Sequence, residues 1–331
     1  MIMTLSQNEF IANLTNLIVV TQINRNVRGD MPDLVRSCYK ENIPAGAGKA
    51  LITVDTLSVE DYKAQSSILT SKLPTVDEQQ LNTNVKKYIQ VTLNRYLTPG
   101  AFANDYAIAE FYAVVLEMLR KTKNIFLYKF CVSAYENFNG GTNNDGSPIS
   151  LKAGQTLTID LTDTTGMTGE ALAQANTQNA KTIYKEITNL IMNMVAPSRD
   201  YNELGFEEMP DYQDIKFIEN SKFYNLLNVD ALASLLNSAK ITDQIKIKET
   251  ILIPDKQFAK PNTKTKVIGW IGHEDKFQIC PRFEVMTEFF DGSNLNDNHW
   301  LHFWLNTGFA NGLCLVKVVA NFVKPATKQE F

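Results

Sequence analysis

Apolar positions along the chain change period several times, and each change marks an element. Phe10, Leu14, Leu17 and Ile18 recur at helical spacing until the polar run from Arg25 to Asp30 ends the pattern. Ahead of them, Ser6 and Glu9 form a capping box, and Leu5 and Phe10 are spaced for a hydrophobic staple. The spacing predicts an amphipathic first helix that needs a partner surface. From Ala45 to Gly48 the chain is a flexible lead-in, after which Leu51 to Leu57 alternates as a strand does and Val85 to Leu97 does so again. The stretch between them, Ser58 to Thr83, carries Glu60, Asp61, Lys63, Lys72, Asp77 and Glu78 and few large apolar residues beyond Ile68, Leu69 and Leu73. The expectation is a hairpin of about 50 residues that brackets a polar middle and has no core of its own. Ordering each residue costs on the order of 1 to 2 kcal/mol, so such a hairpin is either mobile or laid against another subunit.

Pro99 and Gly100 close that section. Ala101 to about Phe138 reads as one helix without internal proline or glycine, roughly 50 Å long at the usual rise per residue. Its middle is apolar almost all round (Ile108, Phe111, Tyr112, Val115, Leu116, Leu119), relieved by Glu110 and Glu117, with Lys121 one turn on to pair with Glu117. Such a helix is a buried spine. Asn139 to Pro148 is a loop by composition, and Thr156 to Leu161 alternates as a short strand. A second long helix is predicted from about Thr168 to Val195, with Ile183, Ile187, Leu190, Ile191 and Met194 as its stripe and Pro197 as its stop. Asp230 caps a short helix through Leu236. From Ile245 onward β-branched and aromatic residues dominate, with turns at Pro261, at Asp291 to Ser293 and at Asn311 to Gly312. The fold class is therefore α+β, with the last third mainly sheet.

Composition narrows the function. Hydrophobic residues are 44% and charged residues 21%, the balance of a globular chain. Lysine and arginine total 32 against 36 acidic residues, a net charge of -4, which leaves no basic surplus to neutralise a phosphate backbone. Much of the deficit is local: Gly141 to Gln213 holds ten acidic and four basic residues. Cys38, Cys131, Cys280 and Cys314 lie far apart with no CxxC pair and read as free thiols in a reducing cytoplasm. Met1 to Phe10 lacks the basic and apolar regions of a signal peptide. The apolar stretch Tyr106 to Leu119 is too short to cross a bilayer of about 30 Å.

Candidate chemistry is sparse. Pro44 to Ala50 resembles a phosphate-binding loop only in part, since Ile43 stands where glycine is needed and Ala50 where a hydroxyl would hold magnesium. His299 and His302 would share a helical face and could hold zinc with His273 and Glu274, as in a metal-dependent hydrolase. As part of the alternating strand Trp300 to Leu305 they point instead to opposite faces. Glu207 with Glu208, and Glu274 with Asp275, are adjacent carboxylates in polar surroundings, where solvation keeps both members ionised. Asn143 to Gly146 lacks the ligand pattern of an EF-hand. No cofactor or metal is expected, and nothing marks an enzyme.

Four stretches carry a resemblance: Val85 to Arg95 running into the spine, Ser198 to Asn202, Asn228 to Leu232, and Trp300 to Val319 with Phe309, Ala310 and Asn311 inside it. With the order of elements around them, the chain resembles a major capsid protein of the short-tailed double-stranded DNA bacteriophages, whose Hong Kong phage-type capsid fold is shared with encapsulins. The resemblance implies an N-terminal arm (1–45), an extended β-hairpin loop (46–98), a peripheral domain with the spine helix (99–165), an axial domain (166–297) and terminal strands returning to the peripheral domain (298–331). It implies a structural protein of the virion, assembled in the host cytoplasm as pentamers and hexamers around the genome. The partners it implies are further copies of the chain, a portal, a scaffolding protein where one is used, and DNA held weakly and without sequence preference, with no membrane. Glu60, Asp61, Lys63, Lys72, Lys86 and Lys87 are the expected intersubunit contacts of the loop. No lysine and asparagine pair matches the covalent crosslink of one branch of the family, so the shell is expected to be noncovalent. An encapsulin-like compartment around a cargo enzyme is the alternative within the same fold.

Overall fold

The structure is a computed structural model of the 331-residue chain. It describes residues 30–44, 47–59, 61, 72–94, 105–142, 147–226, 247–258 and 265–324, the side chains of 105–112 excepted. The expected helices at the N-terminus and from Asp230, together with Glu60 and Lys63, lie outside the described residues.

In chain order the elements are α1 (Asp33–Cys38), β1 (Lys49–Val54), β2 (Val76–Leu81), β3 (Thr83–Asn94), α2 (Asp105–Glu136), β4 (Gly140–Thr142), β5 (Pro148–Ser150), β6 (Thr156–Thr162) and α3 (Gly169–Val195). They continue with β7 (Ile215–Asn220), β8 (Glu249–Ile253), β9 (Thr265–His273), β10 (Phe277–Asp291), β11 (Asn296–Phe309) and β12 (Leu315–Val323). The chain divides into two compact units, one of residues 1–47, 82–131 and 279–307, the other of residues 48–81, 132–278 and 308–331.

The first unit holds a three-stranded sheet in the order β10-β11-β3. Along β11, Leu301, Phe303 and Leu305 are buried while the positions between them are more open, the alternation that the aromatic sequence predicts. Phe303 meets Phe126 of α2 at 5.8 Å between ring centroids, and Lys123 lies over the same ring while its ammonium reaches Glu284 at 2.5 Å. Lys121 is buried and paired with Glu117 at 3.2 Å, as the one-turn spacing requires. On the far edge of β10, the chain after α1 bonds through Lys40 N–H to Ile279 C=O and through Ile43 N–H to Pro281 C=O.

Strand pairing corrects one expectation. Residues 85–94 do not pair with residues 51–54. They belong to β3, which runs antiparallel to β11 from Asn296 opposite Asn94 to Leu305 opposite Val85. The partner of β1 is β2, from Lys49 opposite Leu81 to Val54 opposite Val76. β2 reads as polar loop because a two-stranded ribbon needs little apolar surface: ladder hydrogen bonds satisfy its backbone, and Leu81 alone in it is buried. β3 can lie in the packed sheet because Val85 and Leu93 supply its buried face.

The second unit is built on a five-stranded sheet, β6-β12-β9-β7-β8, parallel at its two ends and antiparallel between. The predicted stripe of α3, Ile183, Ile187, Leu190, Ile191 and Met194, packs on Ile159, Leu161, Ile215, Phe217, Val316 and Val318. Trp270 pairs with Ile218 on the opposite face and is fully buried, 5.7 Å from Tyr135 and stacked at 5.6 Å on Phe258. Gly269 lets β7 and β9 approach, because a Cβ there would run into the Ile218 carbonyl. At the edge strand β6, the Asn179 amide of α3 takes the place of a missing strand, accepting from Thr162 N–H (2.9 Å) and donating to Thr162 C=O (3.0 Å).

Candidate functional site

The ribbon β1–β2 has two unlike faces. Leu51, Thr53, Gln79 and Leu81 point inward. The Gln79 side chain donates to Phe309 C=O (2.8 Å) and accepts from Asn311 N–H (3.0 Å), a pin between the ribbon and the β11–β12 turn. Gly312 is required in that turn, since a Cβ there would overlap the Thr53 side chain. On the other face Ile52 is 67% exposed, Val54 53% and Val76 52%, and Leu57, Val59 and Leu73 just beyond are exposed as well. An exposed apolar row along a strand ladder is a surface that favours a covering partner.

A second attachment sits where β1 ends. The Arg199 guanidinium donates to Asp55 Oδ2 (2.8 Å), to Gly205 C=O (3.2 Å) and to Thr56 Oγ1 (3.2 Å), and lies 3.4 Å from Glu207 Oε2. Thr56 Oγ1 donates to Glu207 (2.6 Å), and Glu207 N–H donates to Asp55 Oδ1 (3.0 Å). Hydrogen bonding from Arg199 and from the Glu207 amide holds the Asp55 carboxyl below its usual range. The loop that presents Arg199 is shaped by Asn202, whose Oδ1 accepts from Gly205 N–H (2.6 Å) and Phe206 N–H (3.1 Å), with Gly205 at φ +74° where a side chain would be strained. The Ser198 to Asn202 stretch was legible as a marker in the sequence. Its partners Asp55 and Thr56 were not, because they come from a segment more than a hundred residues away.

Beneath the β11–β12 turn lies a buried polar group. Lys276 and Glu203 are both 0% exposed at the side chain and pair at 2.5 Å; Lys276 also donates to Leu313 C=O (2.7 Å), and Gln155 donates to Glu203 (3.1 Å). Burial lowers the Lys276 ammonium and Glu203 opposes that shift. Glu208 corrects the expectation that both members of its pair are solvated. Glu207 is exposed beside Arg199, but Glu208 is largely buried, its Oε1 has no hydrogen-bond partner, and desolvation pushes its carboxyl up.

The histidines do not form a metal site. His299 is buried and 4.0 Å from Glu288, while His302, three residues on in the same strand, lies on the opposite face against Tyr88. The His273 ring accepts from Asp275 N–H (3.1 Å), and Glu274 is paired with Lys248. Among the described residues no group of three or more His, Cys, Asp or Glu is arranged to hold a metal ion. All four cysteines are buried free thiols. Of the expected loop contacts, Asp61 and Lys72 are exposed. Lys86 and Lys87 are exposed too, but they lie on β3 opposite Trp304 and Phe303, with Lys86 5.5 Å above the Trp304 ring, and so are not part of the ribbon.

A long helix, a three-stranded sheet, an α-covered five-stranded sheet and a two-stranded ribbon define the class: this is the Hong Kong phage-type capsid fold. The capsid of Staphylococcus phage Andhra superposes with a TM-score of 0.64 at 12% identity, covering 93% of this chain and 87% of that one. A chain of native bacteriophage P68, from a structure of its head fiber and inner core protein gp22, gives 0.60 at 11% identity over 91% and 88%. The mature capsid of bacteriophage PhiM1 gives 0.55 at 7% identity over 91% and 89%. At such identities the likeness is one of fold. No curated protein sequence matches the chain. The family model for Phi29-like phage major capsid proteins matches residues 3–310, and the chain belongs to that family. It is a structural protein of the phage head shell.

Proposed function

We propose that the subunit assembles without covalent crosslinks into pentamers and hexamers, and that the open face of its β1–β2 ribbon is covered by a neighbouring copy. The observation that carries this reading is the row of exposed Ile52, Val54 and Val76 on a ribbon whose other face is already pinned to its own unit. Closed symmetry gives every copy one neighbour to cover that face, and many modest contacts then add through effective concentration. In the family's terms, residues 1–45 are the N-terminal arm, 46–98 the extended loop, 99–165 with 298–331 the peripheral domain and 166–297 the axial domain. Asp61 and Lys72 in the loop, with Lys86 and Lys87 on β3, are intersubunit contacts. The chain has no catalytic role. It encloses double-stranded DNA that it touches weakly, since the net charge of -4 offers no basic lining. Assembly takes place in the host cytoplasm and involves a portal and, where one is present, a scaffolding protein.

The ribbon's own anchoring refines the test. Deleting residues 58–83, natural for a coreless loop, would also remove β2, Gln79 and buried Leu81. The cleaner variant is Ile52→Ser with Val54→Ser and Val76→Ser, followed by sedimentation and negative-stain microscopy beside the unaltered protein and with scaffolding protein supplied. Closed shells from the unaltered chain and soluble subunits from the variant are expected. Normal shells from the triple variant would remove the ribbon from the interface.

A further inference from the structure

We infer that Arg199 is an assembly latch: it fixes the end of the ribbon where β1 runs out and so sets the geometry in which the open face meets a neighbour. The inference rests on the shell reading for its consequence, but not for the latch itself.

Two attachments hold the ribbon, and they differ in kind. The inner one is the Gln79 pin to Phe309 and Asn311, reinforced by Thr53 against Gly312 and by Leu81 against Gly308. Its groups are neutral and partly buried, so salt and single surface changes leave it in place. The outer one is the Arg199 cluster, at Asp55 and Thr56 just past the end of β1. It consists of one guanidinium engaging two carboxylates, a hydroxyl and a carbonyl, with half of the arginine side chain open to solvent. The inner attachment ends at Thr53, and a two-stranded ribbon has no third strand to stiffen the end beyond it. A second tether at Asp55 and Thr56 fixes that end. Arginine suits that task, since its planar fork satisfies several acceptors at defined angles where lysine offers a single point charge. Gly205 keeps the geometry open, as its φ of +74° brings its carbonyl to the guanidinium. Being charged and solvent-accessible, the outer tether is also the one that loosens first.

Hydrogen exchange on the disassembled subunit tests the latch directly. Arg199→Ala is expected to speed exchange of the Glu207 and Thr56 amides roughly three- to tenfold, with little change in the strand amides of β12. High salt is expected to reproduce part of that change in the unaltered chain. The reciprocal pair Arg199→Asp with Asp55→Arg restores slow exchange, and Arg199→Lys restores it only in part. Unchanged exchange in Arg199→Ala, or no rescue by the pair, overturns the latch. Shells are then imaged: aberrant or variable diameters from Arg199→Ala, corrected by the reciprocal pair, support its role in geometry. Uniform shells of normal diameter from a variant with fast exchange overturn that role. Absence of shells from the unaltered chain as well would instead sink the shell reading and with it the latch's consequence, while the exchange result stands by itself.

Discussion

The ribbon β1–β2 and the five-stranded sheet belong to the same compact unit and are made of comparably short strands, yet they are held in opposite ways. The sheet is covered on both faces: α3 supplies one apolar layer, and Tyr135 and Phe258 close round Trp270 on the other, with Phe277 against Tyr135. Its edge is finished by the Asn179 amide. The ribbon has one face against its own unit through side-chain hydrogen bonds and one face of Ile52, Val54 and Val76 open. Stability therefore resides in the sheet, where packing is complete, and association in the ribbon, where it is not. A shell subunit needs both: a body that survives alone and a surface that does not prefer to be alone.

The sharpest way to break this contrast is to attack the sheet. Trp270→Ala leaves a void between Tyr135 and Phe258, with an expected loss of about 3 to 5 kcal/mol in the subunit's unfolding free energy, read by urea denaturation. Lys276→Met comes next, at about 3 kcal/mol, because it strands a buried Glu203 carboxylate. Adding Glu203→Leu is expected to recover most of the loss, since replacing both charges removes the desolvation cost as well.

A third test uses pH. Glu219 on β7 is buried, its Oε1 lacks a hydrogen-bond partner, and desolvation pushes its carboxyl from 4.5 to about 8. The folded chain then binds a proton that the unfolded chain has released between those two values. Stability contributed by neutral Glu219 is present below about pH 4.5 and is lost as pH rises toward 8, after which the dependence levels off. Glu219→Gln is expected to flatten that slope in urea midpoints measured from pH 5 to pH 9. A slope unchanged by the substitution would show that Glu219 does not titrate in the folded chain.

The smallest stability effect belongs to the ribbon. Ile52→Ser, Val54→Ser and Val76→Ser are each expected to change the subunit's stability by no more than about 0.5 kcal/mol, while together they abolish shell formation. A loss in the isolated subunit comparable to that of Trp270→Ala would mean that the face is covered within the chain and that the contrast fails.

Much of the body was readable from the residues. The stripe of α3 from Ile183 to Met194, the alternation at Trp300 to Leu305 and the Glu117 to Lys121 pair follow from periods of 3.6 and 2, which are local properties. For the same reason His299 and His302 fall on opposite faces of one strand. What was not readable was pairing. Alternation from Val85 to Leu97 marks a strand but not which strand it joins, and β3 pairs with β11 instead of β1. β2 was passed over because its residues are polar. Glu208 was judged solvated from its neighbours in sequence, whereas burial by residues far along the chain sets its ionisation.

The sequence by itself determined the course of α3 and of the alternating strand at Trp300 to Leu305, which of their faces are apolar, and that the region after Pro44 is poor in apolar side chains. Only the tertiary structure decided that β1 joins β2, that Gln79 and Arg199 tie the ribbon down at two points, and that Ile52, Val54 and Val76 remain open. The division has a physical cause. Periodicity is written in neighbouring residues and survives in any context, while pairing, burial of charge and the choice of bare surface depend on which distant segments arrive at the same place.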